Sequence, residues 1–140
     1  MQQKEPITIV IDNNVDNLAL IEQAVKYVRH KTKCICLLHG DEAITFLSLE
    51  LKHPPAYIFI DANMVDLTIS KCLLILRNNP TLNHSCVVVF STVMPGAVAD
   101  VYRQQGADFA FTKPFTTPQA KNLVEHIIST NPKRQNLAFV

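Results

Sequence analysis

Apolar residues along this chain follow two alternating rhythms, short β-branched runs and longer stretches with helical spacing. Ile7 to Ile11 is a continuous apolar run of the kind that forms a strand buried on both faces. Asn13 and Asn14 follow it and can cap a helix whose apolar positions Leu18, Ile21, Val25 and Val28 step by three and four. Cys34 to Leu38 predicts a second strand, closed by His39 and Gly40, and Ile44, Leu47 and Leu51 predict a helix stopped by Pro54-Pro55. Ala56 to Ile60 is a third buried run and leads into Asp61. Beyond it, Thr68 can cap a helix carrying Ile69, Cys72, Leu73 and Leu76. A fourth run, Cys86 to Phe90, reaches Ser91-Thr92. Pro95 then opens a helix with Val98, Val101 and Tyr102, and Gly106 suits its C-terminal cap. Phe109 to Thr112 is a short fifth strand. Thr117 and Pro118 start a last helix that would bury Leu123, Val124, Ile127 and Ile128.

Strands alternating with helices imply right-handed crossovers and a parallel sheet covered on both faces, a three-layer α/β/α sandwich. The expected strand order is 2-1-3-4-5, the flavodoxin-like arrangement. Function in such sheets gathers beyond the carboxyl ends of the strands, where the strand order reverses.

The chain has 140 residues, enough for one domain, expected over 1–130 with a tail at 131–140. Thirteen basic and twelve acidic residues give a net charge of +1, so no excess charge recruits nucleic acid or an anionic membrane. The first residues lack the apolar stretch of a secretion signal, and a cytoplasmic protein is the expectation. Cys34, Cys36, Cys72 and Cys86 contain no pair with zinc-site spacing and read as small buried hydrophobes. The five histidines are scattered without metal-ligand spacing. Lys133-Arg134 reads as a solvated helix exit, and the apolar end Leu137 to Val140 has no role that composition assigns.

Chemistry enters at the strand ends, which hold Asp12-Asn13, Asp61, Ser91-Thr92 and Lys113-Pro114. Two carboxylates, a hydroxyl and an ammonium in one crevice could handle a phosphoryl group: an aspartate as nucleophile, a cation and the lysine on the phosphoryl oxygens. They could equally be structural, with the aspartates capping the segments that follow and Lys113 pairing with one of them.

The order and spacing of these residues resemble the receiver domains of two-component response regulators, over residues 6 to 130. Asp61-Ala62-Asn63-Met64 is similar to the family's phosphoacceptor segment, Ser91 follows Asp61 by 30 residues, and Lys113 follows Ser91 by 22 and opens Lys113-Pro114-Phe115. Gly106-Ala107-Asp108 before the fifth strand is also similar. The resemblance implies a signalling protein rather than an enzyme, with Asp61 phosphorylated from a histidine kinase or phosphotransfer protein. Ser91 and Lys113 would contact the phosphoryl group. It implies Mg²⁺ held by Asp12, Asp61 and the backbone carbonyl of Asn63, and output through a downstream protein target, with a homodimer as one form.

Several positions depart from that pattern. Asn13 stands where the family has its second acid and is a ligand only if its amide oxygen substitutes, so Mg²⁺ binding should be weakened. Val65 replaces a proline, Ile69 falls near a usual glycine, and Thr92 takes the place of a small residue beside the phosphate. Ala110 stands where an aromatic residue commonly rotates on activation, and Phe109 and Phe111 should face the other side of the sheet. Two functions fit: a stand-alone phosphorylated receiver, or a degenerate receiver that binds partners without phosphorylation. A hydrolase with an aspartate nucleophile would want an acid two residues further on, and that residue is Asn63.

Overall fold

In the computed structural model, which describes residues 5–133, strands and helices alternate from Ile7 to Thr130. They are β1 (Ile7–Ile11), α1 (Val15–Val28), β2 (Lys33–Leu37), α2 (Gly40–Leu47), β3 (Tyr57–Asp61), α3 (Ile69–Arg77), β4 (Cys86–Ser91), α4 (Gly96–Gln104), β5 (Phe109–Thr112) and α5 (Thr117–Thr130), with a 3-10 turn at Pro80–Leu82. The strands form one parallel sheet in the order β2-β1-β3-β4-β5, as the apolar rhythm predicts. No described helix is long and apolar enough to cross a membrane.

Alternation along the strands divides the core between the two faces. Phe59, Val88 and Phe90 point toward α1 and α5, whose Leu18, Ile21, Val25, Val124 and Ile127 complete that layer. Ile58, Ile60, Val87 and Val89 point toward α2 and α3 and pack with Leu47, Cys72, Leu73 and Leu76. Strands β3 and β4 are buried at every position, whereas edge strand β2 is partly open.

Several elements end where side chains, rather than apolar spacing, dictate. Helix α2 stops at Leu47, short of Leu51 and the prolines, because Asn79 Nδ2 donates to the carbonyls of Leu47 and Leu49 (2.8 and 2.7 Å) and takes over its C-terminus. Helix α5 is capped by Thr116, one residue before the expected Thr117, because Gln119 stands three residues after Thr116 and closes a capping box. Gly106 caps α4 with φ +119°, the only positive φ among the described residues.

Other expectations are corrected by position in the sheet. Cys36 is exposed and Cys34 half-buried, because β2 lies at the edge; Cys72 and Cys86 are buried, and burial pushes both thiols up to about 12. Val98 and Val101 of α4 are exposed, since Ala99 is the residue this helix buries. Lys133 is not merely solvated: its Nζ lies 3.1 Å from Asp108 and donates to the carbonyl of Ser85 at 2.7 Å. Asn131 is buried as well and donates to the Tyr57 hydroxyl. Arg134 and the apolar segment Leu137 to Val140 lie outside the described residues.

Candidate functional site

The parallel ladder delivers four side chains to one rim of the sheet. Asp61 and Ser91 are the last residues of β3 and β4, Asp12 follows β1 directly, and Lys113 follows β5. Backbone bonds carry the ladder one step past the strands: Asp12 N–H donates to Leu37, Ala62 N–H to Phe90 and Lys113 N–H to Ser91. The side chains therefore start from backbone as rigid as the sheet itself.

Their geometry is an ionic bridge. Lys113 Nζ lies 2.9 Å from Asp12 Oδ2 and 3.1 Å from Asp61 Oδ1. Both carboxylates are buried, at 5% and 6% exposure. The same Asp61 oxygen accepts the Asn63 N–H at 3.0 Å, and Asp12 Oδ1 accepts the Asn14 N–H at 2.9 Å. Asp61 Oδ2 takes part in none of the hydrogen bonds or ion pairs of the described residues, so one oxygen of this buried carboxylate is left for chemistry. Asp12, Asp61 and Lys113 are brought together, and all three also do what the structural alternative asks: each aspartate accepts the N–H two residues on, and Lys113 pairs with both.

Asn13 does not join them. Its Nδ2 donates to the Leu38 carbonyl (2.8 Å) and to Asp66 Oδ1 (3.0 Å), and its Oδ1 accepts from the Val65 N–H at 3.0 Å. The amide oxygen that could have served a cation is engaged in tying three loops together. Asp66 completes the tie: its Oδ2 accepts the Gly40 N–H at 2.8 Å, at the start of α2. That backbone donor, followed by the Asn13 amide, holds the Asp66 carboxyl below its ordinary range.

Gly40 is required here by proximity. A Cβ on it would lie 2.5 Å from the Asp66 carbonyl oxygen and 2.9 Å from its carbonyl carbon. Gly40→Ala should therefore push the loop after β3 away from α2 and cost about 1.5 kcal/mol, the scale of overpacking. Urea denaturation measures the loss, and an unchanged midpoint would refute the close approach.

The Ser91 hydroxyl is turned toward Asn63. Ser91 Oγ donates to Asn63 Oδ1 at 3.1 Å, and the Thr92 N–H donates to the same oxygen at 2.9 Å. On β5, Ala110 is buried and offers only a methyl group, while Phe109 and Phe111 stack on each other and meet the His126 ring of α5 edge-on. The two rings belong to the opposite face, as strand alternation predicts, so no aromatic residue of β5 accompanies Ser91.

A divalent cation fits this donor set only in part. Hard cations take carboxylate and carbonyl oxygens, and the site offers Asp12, Asp61 and the Asn63 carbonyl. Lys113 already neutralises one of the two negative charges, and Asn13 is withdrawn. Among the described residues no group of three or more His, Cys, Asp or Glu side chains is placed to hold a metal ion.

Three participants escaped the sequence. In the sequence Asp66 looks like any loop acid, Asn63 offers only its carbonyl to a metal, and Gly40 only closes a strand. The scarcity of glycine, three in the whole chain, was the one available hint that Gly40 meets a constraint.

No family model and no curated protein matches this sequence. Its structure does have close counterparts. A response regulator receiver domain from Rhodospirillum rubrum superposes with a TM-score of 0.76 at 18% identity, over 94% of each chain. The phosphorylated cyanobacterial phytochrome response regulator RcpA gives 0.75 at 21% identity, over 89% of this chain and 91% of its own. The Mn²⁺-bound form of response regulator Rcp1 gives 0.73 at 20%, over 89% of this chain and 93% of its own. The fold of this chain is the receiver fold.

Proposed function

We propose that this chain is a receiver that accepts a phosphoryl group on Asp61 and signals by protein–protein contact. The observation that carries the reading is the Lys113 bridge to both buried carboxylates, with Asp61 Oδ2 left unengaged. The donor is a phosphohistidine of a kinase or phosphotransfer protein. Asp61 Oδ2 attacks phosphorus, an O–P bond forms as the P–N bond breaks, and the departing imidazole nitrogen keeps the electron pair and takes a proton from solvent water. Lys113, already at Asp61, holds the transferred oxygens by charge. Mg²⁺ would be held by Asp12, Asp61 and the Asn63 carbonyl, and when bound it neutralises the phosphoryl oxygens. Phosphorylated and Mn²⁺-bound forms are known by name among the structural counterparts, which supports the reading without assigning either state here. The chain acts as a single domain over residues 1–130 in the cytoplasm, as a monomer or homodimer, on a downstream protein target.

The withdrawal of Asn13 favours a second reading, a receiver-like module that binds partners without phosphorylation. Incubation with acetyl phosphate and Mg²⁺, followed by intact-mass measurement, decides between them. A single phosphoryl increment is expected on the parent and none on Asp61→Asn. No increment on the parent, together with Asp61→Asn binding partners as the parent does, would overturn phosphorylation in favour of the module.

A further inference from the structure

Asn63 lies on the turn that follows β3, two residues past Asp61 and exposed to solvent. Its own N–H is donated to Asp61 Oδ1, and this short turn aims its side chain across the rim toward the end of β4. There its amide oxygen receives two donors at once, Ser91 Oγ at 3.1 Å and the Thr92 N–H at 2.9 Å. Two donors from adjacent residues converging on one oxygen form an arrangement suited to stabilising a developing or fixed negative charge. The strand register sets it next to the carboxylate that the proposed function phosphorylates, since Asp61 of β3 pairs with Phe90, the neighbour of Ser91 on β4, and in this structure a neutral carbonyl of the chain itself fills it.

We propose that Asn63 is a positioning residue that seats its amide oxygen where an oxygen of the group on Asp61 must sit. The inference rests on the receiver reading and deepens it: uptake of the phosphoryl group is a competition with an internal acceptor. The amide oxygen satisfies the buried Ser91 hydroxyl, which would otherwise be left without a partner at a cost. It is neutral, so an anionic oxygen makes the stronger hydrogen bonds and displaces it. The end of β4 is held by Asn63 before any phosphoryl group arrives. Exchanging one acceptor for another therefore moves Ser91 and Thr92 less than filling an empty seat would.

Beryllofluoride, which bonds to a carboxylate oxygen as a phosphoryl mimic, tests this with Mg²⁺ at saturation. Asn63→Ala removes the internal acceptor from an exposed position and leaves the Asp12–Lys113–Asp61 bridge intact. Its affinity for beryllofluoride is expected to exceed the parent's by on the order of tenfold, the scale of one net hydrogen bond. Amide hydrogen exchange supplies a readout that a merely structural role would not reproduce. The Thr92 amide should exchange faster in Asn63→Ala than in the parent, and beryllofluoride should restore its protection. Equal or weaker binding by Asn63→Ala, with the parent binding normally, overturns the competition and leaves the receiver reading standing. Binding by neither protein overturns the receiver reading, and this inference with it.

Discussion

Replacing Lys113 with methionine should destabilise the protein by about 3 kcal/mol in metal-free buffer, the scale for removing one partner of a buried ion pair. The ammonium lies 2.9 Å from Asp12 and 3.1 Å from Asp61. Methionine keeps most of the stem's packing and deletes the charge. Two buried carboxylates would then face each other with no cation between them. Each keeps a single backbone N–H, from Asn14 and Asn63, which satisfies one oxygen and neutralises neither charge. The variant should accordingly recover more stability from added Mg²⁺ than the parent does, because a bound cation contributes more where no ammonium competes. Urea denaturation with and without Mg²⁺ reads both effects. A variant as stable as the parent without metal would show that the bridge contributes nothing net.

Asn13→Asp, which installs an acid at the place where receivers usually carry one, is expected to weaken the protein rather than repair it. The asparagine donates to the Leu38 carbonyl at 2.8 Å and to Asp66 at 3.0 Å. A carboxylate oxygen in the position of Nδ2 would meet two acceptors, one of them charged, at hydrogen-bonding distance with no proton between them. The side chain must then turn away, which gives up those bonds and the one from Val65 as well. The expected loss is about 3 kcal/mol without metal, for three exchanged hydrogen bonds of about 1 kcal/mol each. Turned inward, the new carboxylate would join Asp12 and Asp61 and create the cation site that the parent has only in part. The loss should therefore shrink steeply with Mg²⁺ concentration. Thermal denaturation across a Mg²⁺ titration checks this; an Asn13→Asp protein as stable as the parent in chelator would mean that the Asn13 tie carries no load.

The strands were legible because burial on both faces leaves an unbroken apolar run, as in Tyr57 to Ile60 and Cys86 to Phe90. The helix faces of α1 and α5 followed from spacing, since a helix against a sheet buries one stripe. Helix α4 misled because Val98 and Val101 keep the right spacing yet face outward, and spacing does not say which stripe a neighbour covers. Spacing overruns the end of α2 and places the cap of α5 one residue late, because Asn79, which is distant in sequence from α2, and the Thr116–Gln119 box set them.

At the rim, the chain alone determined that Asp12, Asp61, Ser91 and Lys113 reach the same end of the sheet, because a parallel sheet sends every strand's carboxyl end to the same side. Side-chain direction at Asn13 and Asn63 belonged to the tertiary structure. An asparagine offers both donor and acceptor, and local sequence does not choose among the partners that folding brings near. Asp66, Leu38 and Val65 claimed the first, Ser91 and Thr92 the second. Composition thus specified which charges the pocket could contain. Only the meeting of loops far apart in sequence decided that one amide leaves the pocket to bind them and the other fills it.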